Sequence, residues 1–366
     1  MTSLGLNLIV GGGYLASDIS RLLESCQISK LGGPGGALID EVVITQTSED
    51  TELTEMLQTD YPNVKLYYFP WVNDFSAARN FSFSKSTTDF IMWLDSDDNI
   101  RLSEYLNILT LKPYLNEIDC IVLQYNYSFD ESGSVKLTLP RERIVRRCPE
   151  IVWMDPIHEY LTIQTVRCAR FPFAIDHMRR DTPNPDRNLG IYRQWIIDDK
   201  PMSQRMKFYF GRELFDYGKI DDGVPILAEY ESGDTDMADN KAHAAMRLAR
   251  YWLYCHVTPE CRVYIDKAKK YQPGYAEIDC LEGDYLEQCG DLDGAIKCFE
   301  RALTKEIGNT SMCQDVDSYG YIPHLRLSML CYRIGRYSDA ITHAQACDAI
   351  QPDKFLMGFF KSLNVL

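Results

Sequence analysis

Long hydrophobic runs are missing from this chain. No stretch of its 366 residues approaches the roughly 18 apolar positions of a membrane-spanning helix, which excludes an integral helical membrane protein. Basic charge is also scarce. The 38 Lys and Arg face 53 Asp and Glu, and the net charge of −15 argues against a nucleic-acid backbone or an anionic membrane surface as partner, although local basic patches remain compatible with it. Paired cysteine motifs are absent too. The 12 cysteines never form a Cys-x-x-Cys pair, and no charged-then-apolar leader precedes Leu6 to Val10, so free thiols in a reducing cytoplasm are expected. The length allows about two domains, each able to bury its own core.

What the chain does have is acid concentrated at one point. Phe90, Ile91, Met92, Trp93 and Leu94 form a short apolar run with aromatic character, the signature of a strand buried on both faces. Asp95, Asp97 and Asp98 come directly after it. A central strand of a parallel sheet opens its ligand crevice at its carboxyl end, so these side chains arrive where an α/β fold binds things. Crowded carboxylates repel one another unless a cation lies between them, and hard oxygen ligands suit Mg²⁺ or Mn²⁺. Capping the helix expected near Leu102 would need one Asp, not three.

The longer pattern around this strand, with Asp74, Phe75, Arg79 and Asn80 ahead of Asp95-Ser96-Asp97, resembles the family 2 nucleotide-sugar glycosyltransferases of the GT-A fold. The resemblance implies that Asp95 faces the nucleotide ribose or the metal and that Asp97 ligates the metal. It places Arg79 near the nucleotide or diphosphate, with Asp74, Asn80 and Ser96 beside it. A helix-surface salt bridge is the competing reading of Arg79. In the family an Asp-x-x-Ser-x-Asp turn comes after the second strand; here Thr45, Ser48 and Asp50 hold those positions. Thr45 replaces the Asp that contacts the base, which leaves base specificity open. Val10 and Gly11, with Gly12 and Gly13 behind them, end the first strand where a side chain would crowd a nucleotide, or else form a flexible turn.

Along the chain two halves emerge. From Leu6 to about Ile175, apolar runs alternate with amphipathic segments: Leu6 to Val10, a helix from Ser17 to Cys26, Glu41 to Ile44, a helix around Thr51 to Gln58, then Val64 to Phe69. That is the opening of a mostly parallel, Rossmann-like α/β domain, assigned to residues 1–185. Residues 186–204 are read as a linker or first connecting helix. Residues 205–366 are helical and repetitive. Gly283, Leu286, Gly290, Ala295, Phe299 and Ala302 fall at the offsets of a tetratricopeptide unit, and Ser328, Cys331, Gly335, Ala340, Ala344, Cys347 and Pro352 repeat the frame. Ala249, Trp252, Cys261, Ile265, Ala268 and Pro273 give a looser copy, and Gly211, Leu214, Gly218, Gly223 and Leu227 a looser one still. These are packing positions of a helical-repeat array, not binding residues.

Between the halves lies a second chemical segment. Arg141, Arg143 and Arg146 suggest an exposed strand, with Asp155, His158 and Glu159 beyond it and, after Phe171 to Ile175, His177. Many family 2 enzymes have a similar Arg-rich strand, His-Glu pair and late His. By that resemblance Glu159 is the candidate catalytic base and His177 a third metal ligand beside Asp95 and Asp97. Asp155 is an alternative base, and Glu159 can instead form a salt bridge to Arg141, Arg143 or Arg146. His158 either orients Glu159 or contacts the diphosphate, and Arg179 and Arg180 are placed to meet a phosphate. Asp181 to Asn188 forms a loop or lid.

The resemblance implies inverting transfer of a sugar from a nucleoside diphosphate, UDP first among them, with Mn²⁺ or Mg²⁺ as cofactor. Family 2 enzymes fused to such repeats include some that glycosylate peptides, which favours a peptide or protein acceptor. An envelope or capsule saccharide is the alternative acceptor. A non-catalytic interaction protein with a degenerate GT-A domain is the alternative class, and homodimerisation is a further role open to the repeats.

Overall fold

The computed structural model describes residues 2–11, 14–30, 37–130, 133, 135–163, 166–178, 185–235, 237–308 and 314–352. Its contacts divide into two units, Met1–Pro201 and Met202–Leu366. Among the described residues no helix is long and apolar enough to cross a membrane. Gly12, Gly13, Arg179, Arg180 and residues 181–184 of the expected loop lie outside the described residues.

The first unit runs β1 (Leu4–Val10), α1 (Ala16–Ser25), β2 (Glu41–Gln46), α2 (Thr51–Asp60), β3 (Lys65–Tyr68), α3 (Phe75–Lys85), β4 (Phe90–Asp95), β5 (Asp98–Asn99), α4 (Leu102–Leu109), β6 (Cys120–Phe129), β7 (Val135–Arg146), β8 (Trp153–Met154), β9 (Tyr160–Leu161), β10 (Cys168–His177) and α5 (Pro185–Ile197). Eight strands form one sheet in the order β3-β2-β1-β4-β7-β6-β10-β5. β1 pairs in parallel with β2 and β4, and β2 with β3, the pattern expected of the opening α/β segment. Beyond β4 the sheet mixes directions, because β7 runs antiparallel to both β4 and β6.

β4 is covered on both faces, which explains its unbroken apolar run. Phe90, Met92 and Leu94 join Leu4, Leu6 and Leu8 of β1 and Ile19, Leu22 and Leu23 of α1 in one core. Trp93 points the other way, into Trp153, Val145, Cys120 and Leu161. The Trp93 and Trp153 rings meet edge to face at 4.8 Å, an arrangement whose loss on truncation costs about 3–5 kcal/mol. The arginine-rich segment is not an exposed strand as expected from sequence. It lies inside the sheet as β7, with Arg143, Ile144 and Val145 buried. Arginine is rarely fully buried unless paired, and Arg143 has its partner in Asp98.

Among the described residues the second unit is all helix apart from turns: α6 (Gln204–Asp216), α7 (Ile220–Ser232), α8 (Ala238–Tyr254), α9 (Thr258–Tyr271), α10 (Ala276–Gln288), α11 (Leu292–Ala302), α12 (Tyr321–Arg333) and α13 (Tyr337–Ile350). They pack as successive hairpins, and the small residues lie where the repeat frame puts them. A Cβ on Gly283 would sit 2.6 Å from the Phe299 ring, and one on Gly211 2.7 Å from Leu227, so each pair of helices needs glycine at its closest approach. Gly218, Gly290 and Gly335 turn three of the hairpins with positive φ of 73°, 86° and 82°.

Candidate active site

The carboxylates at the end of β4 are held in place from their C-terminal side. Asp98 begins β5, a two-residue strand whose register sets Asp98 opposite His177 at the end of β10. The Met178 amide donates to the Asp97 carbonyl at 2.7 Å, which completes the pinning of the acidic segment. Asp97, Asp98 and His177 therefore converge, offering ligand atoms within 4.8 Å of one another. The expected trio of Asp95, Asp97 and His177 differs in one member, because Asp95 turns instead to Arg79.

Arg79 is the second organising group. Its Nη2 reaches Asp95 Oδ1 at 2.6 Å and its Nε reaches Glu159 Oε1 at 2.6 Å. The guanidinium also lies 4.6 Å from the Trp93 ring and 4.8 Å from Trp153. It is thus no helix-surface residue. Burial alone would raise the Asp95 carboxyl, but Arg79 and Arg143 outweigh it and hold the group at about 2. Glu159 is likewise desolvated, and Arg79 still keeps it below the usual carboxylate range. Its partner is this arginine rather than Arg141, Arg143 or Arg146.

Asp98 is a buttress. One oxygen takes the Arg143 guanidinium at 3.0 Å, both side chains being fully buried, and also the Asp95 amide at 2.9 Å. The other accepts the Tyr125 hydroxyl at 2.7 Å. That hydroxyl lies 2.8 Å from His177 Nδ1. Tyr125 has one proton, and Asp98, as the ion-pair partner of Arg143, can only accept it. Nδ1 of His177 then donates to the Tyr125 oxygen, a tautomer inferred from the network. Tyr127 stacks on the imidazole at 5.0 Å and 9°.

Asp97 is the carboxylate left loosely held, 3.5 Å from both His177 Nδ1 and the Tyr14 hydroxyl. Burial, with Asp95 and Asp98 beside it, raises its carboxyl. The His177 imidazole would be lowered by burial, but Asp98 and Asp97 raise it. One under-compensated carboxylate and one imidazole nitrogen, facing further negative charge, make a donor set that fits Mn²⁺ or Mg²⁺.

The other candidate residues divide by environment. Asp50 and Asp74 cap α2 and α3, accepting from the Leu53 and Ala77 amides at 2.9 Å each. Asn80 clamps the Trp153 backbone in both directions at 2.9 Å. Thr45, Val10 and Ser96 are buried, whereas Gly11 and Ser48 are half-buried at the carboxyl ends of β1 and β2. Asp155 and His158 are half-buried in the loop between β8 and β9, with positive φ of 67° and 53°. Non-glycine residues held there store strain and cluster at functional sites. Arg79 and His177 are legible in the sequence as candidates, whereas Tyr125, Tyr127 and Tyr14 join the site only through the fold. The Tyr-x-Tyr spacing at the end of β6 is the signal, since period two places both rings on one face.

Residues 19–168 match the model of the family described as Glycosyl transferase family 2. The SPbeta prophage-derived glycosyltransferase SunS of Bacillus subtilis (strain 168) is 21% identical over 317 residues, covering 80% of this chain and 74% of that protein. A TPR repeat-containing protein of Synechococcus elongatus is 27% identical over 145 residues, 40% of this chain and 33% of its own. Among solved structures, Pseudomonas aeruginosa pilF aligns with a TM-score of 0.39 at 13% identity, over 49% of this chain and 74% of its own. The crystal structure of MamA aligns with a TM-score of 0.36 at 15% identity, over 45% and 86%.

Proposed function

Because its N-terminal domain is a family 2 glycosyltransferase domain and the chain a glycosyltransferase, we propose that it moves a sugar from UDP to a peptide or protein acceptor with a divalent cation, Mn²⁺ or Mg²⁺. The observation that carries this reading is the convergence of Asp97 and His177 beside Asp98 at the carboxyl end of β4. Asp97 and His177 would hold the cation. When bound, it supplies charge neutralisation for the departing diphosphate. Residues 1–185 would carry the chemistry and 205–366 acceptor recruitment, with 186–204 connecting them, in the cytoplasm.

The chain's own groups then divide the work. Arg79 holds Asp95 ionised and aimed at the nucleotide ribose, and Gly11 and Ser48 border the nucleotide. As the glycosidic bond breaks the sugar gains oxocarbenium character, and the acceptor attacks from the opposite face with inversion. A carboxylate must take the acceptor proton. Glu159 is ionised but tied to Arg79, which lowers its basicity and lets it position that guanidinium; Asp155, in the strained loop four residues earlier, is the second candidate base.

Hydrolysis of UDP-sugars by the full chain, with Mn²⁺ and with EDTA, tests this reading. Release of UDP only with metal supports it, and no release from any UDP-sugar with Mn²⁺ present contradicts it.

A further inference from the structure

The hairpin of α12 and α13 closes on two histidines. Gly335, with its positive φ of 82°, turns α12 back into α13, and Leu327, Cys331, Ala340 and Ala344 fill the buried seam between the two helices. His324 on α12 and His343 on α13, 19 positions apart, lie half-buried beside that seam. Their Nδ1 atoms stand 3.0 Å apart, with the rings 5.2 Å from centre to centre and inclined at 38°. Among the described residues neither imidazole has another hydrogen-bond partner.

Two facing imidazole nitrogens need something positive between them. In the neutral pair a single proton serves, one Nδ1 donating to the other. An ordinary imidazole is mostly neutral above its pKa of about 6.5, and burial holds both of these lower still. Neutral imidazole is also the form that ligates a metal. The spacing fits one ion. Two nitrogens each about 2.0–2.1 Å from a metal stand about 2.9 Å apart at a right angle and about 3.3 Å apart in a tetrahedron. The surrounding charge favours a cation as well: Asp339, one turn before His343 on α13, and Glu300, exposed on α11, outnumber Arg336, which is itself paired with Asp339 at 2.6 Å.

We propose that His324 and His343 form a transition-metal site that clips α12 to α13, taking a dication of the Zn²⁺, Ni²⁺ or Cu²⁺ class through their two Nδ1 atoms, with water in the remaining positions. On binding, the shared proton moves to Nε2 of its own ring, so that both Nδ1 lone pairs face the ion and no proton is lost. Imidazole ligands suit these metals, whereas Mg²⁺ prefers carboxylate and water oxygen. The pair thus selects a different class of ion from the carboxylates of the first unit. Because the ligands sit on two helices, unfolding separates them, and a bound ion stabilises the hairpin. The site is independent of sugar transfer and can fail while that reading stands.

Calorimetric titration of Ni²⁺ into the full chain carrying Asp97→Asn, which disables the candidate cation site of the first unit, tests the proposal. Ni²⁺ should bind and raise the melting temperature, and Mg²⁺ should do neither. His324→Asn and His343→Asn, which keep a polar group but remove an imidazole, should each weaken Ni²⁺ binding by about tenfold or more, since a ligand is worth at least as much as an outer-shell partner. Both should also abolish the rise in melting temperature. His256→Asn, at an exposed imidazole held by Gln288, should leave binding and stabilisation intact. Absence of Ni²⁺ binding, or binding indifferent to both substitutions, overturns the proposal. If either substitution prevents folding, paramagnetic broadening decides in its place: Ni²⁺ should erase the Leu325 and Ala344 amide signals of the Asp97→Asn chain, and their persistence overturns the site.

Discussion

Arg79 and Glu159, 80 positions apart in sequence, are joined at 2.6 Å with both side chains nearly buried. The same guanidinium holds Asp95, so one cation compensates two desolvated carboxylates. Removing one partner of a buried ion pair leaves an unpaired charge, at a cost of about 3–5 kcal/mol. Arg79→Ala should therefore destabilise the first unit by about that amount in urea unfolding, whereas Glu159→Gln, which retains an acceptor for Arg79, should cost about 1–2 kcal/mol.

The two candidate bases separate by kinetics. If Asp155 takes the acceptor proton, Asp155→Asn should lower kcat by about 10² or more with donor KM little changed, because the loss falls in the transition state. Glu159→Gln should instead alter donor KM, through Arg79 and Asp95. The opposite split would return the base to Glu159.

Tyr125 is expected to act on metal binding without touching the metal. Its hydroxyl links Asp98 to His177 Nδ1 and so fixes the imidazole tautomer. Outer-shell partners of this kind are worth about 10- to 100-fold in metal affinity. Tyr125→Phe should weaken Mn²⁺ binding, read by calorimetry or electron paramagnetic resonance, by about that factor. An unchanged affinity would remove Tyr125 from the account.

How much of this site could be read from sequence depended on range. The strand Phe90 to Leu94 and its carboxylates are contiguous, and a both-faces-buried run leading into acid is a local signal. Asp50 and Asp74 were equally visible, yet a helix cap and a ligand contact use the same residue type in the same turn, and only coordinates separate them. The assignment of Glu159 to Arg79, rather than to an arginine of β7, depends on sheet order, which places α3 and the loop between β8 and β9 together. Sheet order is non-local, and so is the burial of Arg143. The repeat glycines were legible because each close approach, such as Gly283 on Phe299, recurs at a fixed offset.

Acid stability of the helical unit should depend on Glu282. Burial would raise this carboxyl, but hydrogen bonds from Lys269, Cys298 and Arg262 lower it from 4.5 to about 2. A depressed carboxylate contributes stability that is fully present above about pH 4.5 and is lost as pH falls toward 2. Melting temperatures between pH 6 and 2.5 should fall less steeply for Glu282→Gln than for the parent chain, although the variant starts lower.

The central claim is that Asp97 and His177 make nucleotide binding depend on a cation. Calorimetric titration of UDP into the full chain, with Mn²⁺ and then with EDTA, tests it most directly. Affinity should rise by more than about tenfold with Mn²⁺, roughly 1.4 kcal/mol or more, and Asp97→Asn should abolish that gain. Equal UDP affinity in Mn²⁺ and in EDTA would contradict the account.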